Sequence, residues 1–296
     1  MSTLAIDIGG TKVALGMVEN GKLIERTQIA TPSTIDVREF ANHILSPCSE
    51  WLEKAQNIGI STTGWVKPEG ITSINPDTLP FPQPFALHRE VERISDRPVA
   101  MLNDAQAAAC FEFKSHANLV KNMAYVTVST GVGGGIIIDG KLHKGSNWLA
   151  GHIGHTVIDI NGPDCGCGQN GCVEAIASGT AINKVAQATI NPTISNIELF
   201  ELARNDASAM AIIKRSAQAI AVLCTNLKAT YDLDLVVLGG GVGLASHYME
   251  LVDEYIQQKP AAFRVPITKA SGDYDACLLG AAEQFSLSLD NSNAQH

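Results

Sequence analysis

The sequence predicts an α/β fold of two similar domains, and three observations lead to this prediction. Strand-like and helix-like runs alternate along most of the chain, which is the pattern of α/β proteins. A strand, glycine turn, strand, hairpin and strand occupy residues 4–29, and the same pattern returns at residues 123–143, which indicates a structural duplication. The 296 residues also exceed what one compact core usually organises.

The elements of the first half follow from apolar periodicity and turn residues. Asn20-Gly21 is a type I′ turn signal, and Asn103-Asp104 is placed to cap a helix. Strands are predicted over 4–8, 13–18, 23–29, 58–61 and 99–102, helices over 36–54, 87–94 and 105–113, and a proline-rich loop over 76–84.

The second half repeats the opening pattern and then becomes more helical. Asp139-Gly140 is its hairpin turn, and residues 290–296 are predicted to be a frayed tail. Strands are predicted over 123–128, 136–138, 141–143 and 235–238, and helices over 174–188, 208–231, 248–258 and 278–287.

Composition excludes several function classes. A hydrophobic content of 45% against 17% charged residues is typical of a folded enzyme. The net charge of −9, without any Lys/Arg cluster, argues against a nucleic-acid partner. The first residues resemble no signal peptide, and no run approaches the ~18 apolar residues that a membrane span needs. Unpaired thiols fit a reducing compartment, so we expect a cytoplasmic protein.

Residues 151–174 carry a pattern typical of a zinc site. Three thiols and an imidazole suit a tetrahedral ion of intermediate softness, and the glycines between them allow tight turns. Free loop cysteines are the alternative, which the close spacing disfavours. Two histidines are available where a Cys3His site needs only one, so the spacing leaves open which of them binds. The candidate ligands are Cys165, Cys167 and Cys172 with His152 or His155.

Three glycine loops each follow a buried strand, at residues 7–12, 129–135 and 239–243. Each alone could be a simple turn, but together they predict two phosphate-binding hairpins and a third loop that closes on a nucleotide. Glycine lets the backbone approach phosphate oxygens closely. Further donors come from the side chains of Thr11, Lys12, Ser129 and Thr130.

Two common nucleotide motifs are absent from these three loops. Residues 135–141 fit G-x-x-x-x-G-K, but Leu142 follows where a P-loop has the hydroxyl that binds magnesium. No G-x-G-x-x-G occurs at the glycine loops, so the Rossmann fingerprint is missing.

The chain resembles the ROK family of sugar kinases and repressors. Four motifs carry the resemblance, which covers essentially the whole chain: DIGGTK at 7–12, STGVGGG at 129–135, GHIGH at 151–155 and CGCGQNGCVEAIASG at 165–179. It implies the duplicated actin-like/hexokinase-type (ribonuclease H-like) fold, with a cleft between the domains that closes on sugar. The domains would be residues 1–115, with the terminal helix 278–289 packing back on them, and residues 116–277 with the zinc loop.

Family repressors begin with a DNA-binding helix-turn-helix, whereas a strand opens here at residue 4, so the kinase branch is favoured. Within that branch the chain is most similar to bacterial N-acetylmannosamine kinases. Those enzymes share His152, where most family sugar kinases have Glu. The resemblance therefore implies ATP-dependent phosphorylation of the N-acetylmannosamine 6-hydroxyl in amino-sugar catabolism.

The resemblance also implies a role for each motif residue. Asp104 is the expected general base, although a plain N-cap is the simpler explanation from sequence alone. Asp7 is expected to orient Mg²⁺, directly or through water. The β- and γ-phosphates of ATP are expected at Gly9, Gly10, Thr11, Lys12, Thr130, Gly131, Val132, Gly133, Gly134 and Gly135, and the adenosine at Gly239, Gly240 and Gly241.

For the sugar, the resemblance implies contacts with Gly64, Asn75, Asn103, Asp104, His152, His155 and Glu174. It also selects His155 as the histidine ligand of a structural Zn²⁺, together with Cys165, Cys167 and Cys172. A homodimer is the assembly that it implies. The alternatives are a family kinase for glucose, N-acetylglucosamine or fructose, a sugar-sensing regulator without catalysis, and a zinc hydrolase suggested by the His152/His155 spacing.

Overall fold

A computed structural model describes residues 1–75, 82–272 and 275–289, with side chains of the last segment described as far as residue 285. These residues divide into two compact units. Unit 1 comprises Met1–Ser115, Lys144–Leu149 and the segment from Gly272, and unit 2 comprises His116–His143 and Ala150–Ser271. Most of the predicted proline-rich loop (76–81) and the predicted frayed tail lie outside the described residues.

Each unit is built on a five-stranded sheet. The strands are β1 (Ser2–Ile8), β2 (Lys12–Glu19), β3 (Lys22–Ala30), β4 (Asn57–Thr62), β5 (Trp65–Lys67), β6 (Gly70–Thr72), β7 (Val99–Asn103), β8 (Met123–Val128), β9 (Val132–Ile138), β10 (Lys141–Leu142), β11 (Leu235–Gly239) and β12 (Ile267–Lys269). The strand orders are β3-β2-β1-β4-β7 and β10-β9-β8-β11-β12, and β5 pairs with β6 separately. Both sheets combine three antiparallel strands with parallel neighbours. The predicted duplication is confirmed, because the two sheets share one topology.

Ten α-helices are present among the described residues. They are α1 (Val37–Leu45), α2 (Ser49–Lys54), α3 (Leu87–Ser95), α4 (Asp104–His116), α5 (Val173–Ala177), α6 (Gly179–Thr189), α7 (Asn196–Leu202), α8 (Ala207–Tyr231), α9 (Tyr248–Gln257) and α10 (Ala276–Leu289). In unit 1, Leu278 and Ala282 of α10 pack with Ala5 and Val18 of the sheet. Helix α10, which comes late in the sequence, thus contributes to the core of the unit whose first strand is β1.

Helix α8 is central to unit 2. Its buried face includes Ile213, Ile220 and Leu223, which belong to the apolar core of that unit. Within the described ranges, α8 is the one helix with the length and composition to cross a membrane, and 50% of its most apolar window is buried inside the protein.

Two predicted helices are each divided in the structure. Residues 36–54 form α1 and α2, separated by a 3₁₀ turn at Ser46–Cys48, because Pro47 lacks the N–H that a continuous helix needs. Residues 174–188 form α5 and α6, which meet at Ser178. This residue has an extended ψ of 157°, and its hydroxyl accepts a hydrogen bond from the Ala181 amide at the start of α6.

Candidate functional site

Two predicted carboxylates lie at the carboxyl edge of the unit 1 sheet. Asp7 is near the end of β1, and Asp104 follows the end of β7 as the first residue of α4. Because β4 is parallel to both strands and lies between them, their carboxyl ends meet at one edge. The Ser61 hydroxyl on β4 donates a 2.5 Å hydrogen bond to Asp7 Oδ1. The Ala105 amide donates to Asp104 Oδ1 at 2.7 Å.

The environment of these carboxylates makes them more basic than usual. Burial raises the pKa of Asp104 to about 6, and the charge of Asp7 adds to this increase. Burial also raises the pKa of Asp7, against the lowering effect of the Ser61 hydrogen bond. A desolvated carboxylate with a pKa near neutrality is suited to accept a proton.

Asn103 links two of the predicted sugar-binding residues of unit 1. Its side-chain amide donates to the Gly64 carbonyl at 3.0 Å, and its Oδ1 accepts from the Ala105 amide at 3.0 Å. Gly64 has a φ of 101°, which favours glycine. The structure therefore brings Gly64, Asn103 and Asp104 together. Asn75 lies in the bend after β6, where its carbonyl accepts a hydrogen bond from the Ser73 hydroxyl.

The first glycine turn, Gly9–Lys12, joins β1 to β2 and is exposed. Its carbonyls are held by Thr31, whose hydroxyl donates to Gly9 O at 2.7 Å and whose amide donates to Thr11 O at 3.1 Å. The amides of Gly10 and Thr11 have no hydrogen-bond partner among the described residues. Two consecutive free amides are a suitable site for an anion.

The second glycine turn, Ser129–Gly131, joins β8 to β9 in unit 2 and also offers free amides. Those of Thr130 and Gly131 have no hydrogen-bond partner within the described part of the chain. The Val132 amide, by contrast, donates to Glu174 Oε2 at 3.0 Å. The family resemblance implied a phosphate contact for Val132 and a sugar contact for Glu174, and it did not imply this hydrogen bond between them.

The three remaining glycines of that motif, Gly133, Gly134 and Gly135, lie in β9 and pair with β8. A Cβ on Gly134 would approach Ile153 Cδ1 to 2.2 Å. The need for glycine at this position is therefore explained by packing, and the turn itself consists of Ser129, Thr130 and Gly131.

A cavity of about 620 Å³ lies beside this turn in unit 2. Its lining includes Ser129 and Thr130 of the turn, and most of its wall is apolar. Its lining also includes Asn196, Phe200, Arg204, Met210, Ile213, Gly241, Val242 and His247. The third glycine loop contributes Gly241 to the lining, whereas Gly239 and Gly240 are not among the lining residues. Added Cβ atoms there would meet Tyr125 Oη and Val128 O, at 2.5 and 2.4 Å.

Four predicted metal ligands converge in unit 2. The ligand atoms of His155, Cys165, Cys167 and Cys172 all lie within 4.8 Å of one another. Tetrahedral zinc at its usual bond lengths would place two sulfurs about 3.8 Å apart, and a sulfur and a nitrogen about 3.6 Å apart. The Sγ atoms of Cys167 and Cys172 are 3.7 Å apart, and Cys165 Sγ is 3.6 Å from His155 Nδ1. The residues therefore fit a zinc ion.

The second histidine, His152, is not part of this cluster. It precedes the 3₁₀ turn Ile153–His155, and its carbonyl accepts from the His155 amide at 3.1 Å. Burial lowers the pKa of His152 to about 4, with a smaller contribution from the charge of His155. The imidazole is therefore neutral near pH 7 and can both donate and accept a hydrogen bond.

Comparison with known proteins identifies the family. The ROK family profile matches residues 3–286, and an N-acetylmannosamine kinase of Vibrio cholerae is 60% identical over 285 residues, which are 96% of this chain and 99% of that protein. The chain belongs to the ROK family. Its membership confirms the assignment that the four sequence motifs suggested.

Solved ROK structures also have this fold. A ROK hexokinase from Thermus thermophilus has 30% identity and a TM-score of 0.87, covering 98% of this chain and 100% of that chain. A ROK glucokinase from Streptomyces griseus, in complex with glucose and AMPPNP, has 27% identity and a TM-score of 0.77, with 96% and 99% covered. The predicted duplicated hexokinase-type fold is confirmed.

The sequence did not predict much of the cavity wall, because Asn196 and Phe200 lie on α7 and this helix was not predicted. A signal for this helix was present. Ser195 and Glu198 have the S-x-x-E spacing of a capping box, and both of its hydrogen bonds form in the structure.

Proposed function

We propose that this ROK protein is an ATP-dependent kinase that phosphorylates N-acetylmannosamine at its 6-hydroxyl in amino-sugar catabolism. The observation that carries the proposal is the 60% identity to the Vibrio cholerae N-acetylmannosamine kinase over almost the whole of both chains. Phosphoryl transfer requires a positioned base and donors for the phosphates, and the described residues supply candidates for both.

Asp104 is the proposed general base. Its raised pKa of about 6 leaves it ionised at pH 7 while making it a stronger base than an ordinary aspartate. The side chain of Asn103 is held beside it by Gly64 O and the Ala105 amide. In this proposal Asn103 and Gly64 orient the sugar. Asp104 Oδ accepts the proton of the 6-hydroxyl as that oxygen attacks the γ-phosphorus, and the bond from the γ-phosphorus to the bridging oxygen breaks to release ADP.

The proposed nucleotide contacts come from three glycine loops. The free amides of Gly10, Thr11, Thr130 and Gly131, with the Lys12 ammonium, bind the phosphates. The unit 2 cavity takes the nucleoside, since its apolar wall adjoins the polar turn at Ser129 and Thr130. Asp7 is the proposed holder of Mg²⁺, which neutralises phosphate charge when bound.

On the sugar side, the proposal assigns His152, His155 and Glu174. A neutral His152 differs from the carboxylate of most ROK sugar kinases because it can donate as well as accept, which suits the N-acetyl group of the manno sugar. His155 presents Nδ1 to the thiol cluster, so its Nε2 remains for a sugar hydroxyl. The role of Asn75 stays a prediction.

We assign a structural Zn²⁺ to the cluster of His155, Cys165, Cys167 and Cys172. Four protein ligands complete a tetrahedral sphere and leave no open position for a substrate. The ion would fix the segment that carries His152 and Glu174. A homodimer and a cytoplasmic location, where thiols stay reduced, are part of this proposal.

A panel of sugars with coupled detection of ADP tests the function. N-acetylmannosamine, N-acetylglucosamine, glucose and fructose are compared at equal enzyme concentration. We expect the highest kcat/KM with N-acetylmannosamine. A higher value with another hexose would transfer the assignment to that sugar, and no ADP with any of them would reject a kinase.

A further inference from the structure

Glu174 makes a contact that a sugar ligand does not need. Its Oε2 accepts the Val132 amide at 3.0 Å, at the first residue of β9. A Cβ on Gly131 would come within 2.6 Å of the same oxygen. The φ of Gly131 is not in the left-handed region, so the backbone there does not require glycine. The carboxylate itself occupies the space beside the turn.

The other polar groups of the turn are held from the same side. The Gly179 amide donates to Ser129 O at 2.7 Å, and the Thr180 amide and hydroxyl donate to Thr130 O at 3.2 and 2.9 Å. Helices α5 and α6 therefore bind the carbonyls of the turn and the Val132 amide. The amides of Thr130 and Gly131 are left without a partner among the described residues.

On the carbonyl side of Val132, the backbone of Gly154 packs so closely that a Cβ on Gly154 would lie 2.0 Å from Val132 O. The start of β9 is thus fixed between Gly154 and Glu174. A backbone that is held in this way before a ligand arrives loses less conformational entropy on binding.

We propose that Glu174 is a positioning residue for the nucleotide: it holds the Ser129–Val132 turn so that the Thr130 and Gly131 amides are preset for the ATP phosphates. This inference rests on the proposed function and adds to the sugar contact expected of Glu174. Glu174 positions the turn through its acceptor oxygen and not through its negative charge, since a carboxylate near phosphates is electrostatically unfavourable.

The acceptor and the charge can be separated by two substitutions. Glu174→Gln keeps an oxygen for the Val132 amide and removes the charge, whereas Glu174→Ala removes both. Affinity for Mg²⁺·AMPPNP is measured by calorimetry without any sugar, so that loss of a sugar contact cannot contribute. We expect Glu174→Ala to bind about tenfold more weakly, and Glu174→Gln to bind as well as the unsubstituted protein or better.

A double-substitution cycle tests the contact with Gly131. Gly131→Ala should weaken AMPPNP binding in the unsubstituted protein, because its methyl group displaces the carboxylate. The same substitution should have a clearly smaller effect in the Glu174→Ala background, where the space is open. Any direct obstruction of phosphate by the methyl group is present in both backgrounds and cancels.

Glu254 is an exposed carboxylate on α9. Glu254→Ala is therefore the matched control, and it should leave the affinity for AMPPNP unchanged. Thermal unfolding and zinc content of every variant exclude general damage. AMPPNP affinity that is equal in Glu174→Ala and Glu174→Gln, or additive effects in the cycle, would overturn the proposal. If Glu174→Ala weakened only N-acetylmannosamine binding, this inference would fail while the proposed function remained.

Discussion

The glycine turns of the two units occupy the same place in two sheets of one topology, yet they are held differently. In unit 1 the Gly9–Lys12 turn is exposed, and Thr31, which directly follows β3 of the same unit, holds its carbonyls. In unit 2 the Ser129–Gly131 turn is held by residues of α5 and α6, far from it in sequence. A Cβ on Gly10 would meet nothing within 4 Å, whereas one on Gly131 would meet Glu174.

This difference indicates how the duplicated scaffold divides its tasks. Unit 1 combines a simple turn with two half-buried carboxylates of raised pKa, which suits proton transfer. Unit 2 combines a supported turn with a cavity and a cluster of one histidine and three cysteines that fits a metal ion, which suits binding and positioning. Disturbing unit 1 should therefore affect turnover most, and disturbing unit 2 should affect affinity most.

The largest effect is expected at Asp104. Asp104→Asn should lower kcat by roughly 10²–10⁴, as loss of a general base does, while sugar binding measured by calorimetry stays nearly intact. The variant removes a desolvated charge, so its thermal stability should not fall. Turnover close to that of the unsubstituted enzyme would refute the base assignment.

The next largest effect is expected at the proposed zinc site of unit 2. Cys167→Ser should lower zinc content and raise the KM for N-acetylmannosamine by about tenfold or more, because metal binding is coupled to local folding. Zinc is quantified by mass spectrometry alongside the kinetics. Cys48 is a thiol of unit 1 outside this site, so the Cys48→Ala enzyme should keep the zinc content of the unsubstituted protein. A zinc-free Cys167→Ser enzyme with an unaltered sugar KM would contradict the supporting role of the metal.

A matched pair of glycine substitutions tests the comparison between the turns directly. Gly131→Ala should raise the KM for ATP several-fold, whereas Gly10→Ala should change it less than twofold, because only Gly131 faces a carboxylate. Both variants are assayed at saturating sugar. Equal effects in the two turns would show that they are supported alike.

The smallest effect is expected in the pH dependence of kcat/KM, whose acidic inflection should lie above that of an ordinary aspartate. With its pKa raised to about 6, Asp104 should be protonated and inactive below that value, so log(kcat/KM) should fall with a slope near one as pH decreases through about 6. A raised carboxylate pKa means that protonation favours the folded state, so this group adds stability as pH falls. An inflection near 4 instead would indicate an ordinary, solvated aspartate.

The sequence predicted features that depend on local pattern. The repeated hairpins, the convergence of a histidine with three cysteines and the position of Asp104 after β7 follow from spacing and strand order, whereas the choice of His155 over His152 came from the family resemblance. Pro47 and Ser178 divided two predicted helices, although both residues are recognised helix-boundary types. Helix α7 was missed despite its capping box.

Other features depend on contacts between distant segments. The Glu174–Val132 hydrogen bond joins residues 42 positions apart, and no local pattern encodes it. The raised pKa of Asp104 depends on burial by the whole unit. The cavity wall combines α7, α8 and the third glycine loop, so it exists only after these elements have packed.

The most direct test of the central claim is phosphorus NMR of the product formed from ATP and N-acetylmannosamine. Transfer to the 6-hydroxyl places the phosphate on a CH₂ group, so the proton-coupled signal of the new phosphomonoester should be a triplet, and it should be nearly absent with Asp104→Asn. A doublet, which a phosphate on the anomeric CH would give, or inorganic phosphate as the only product, would contradict the account.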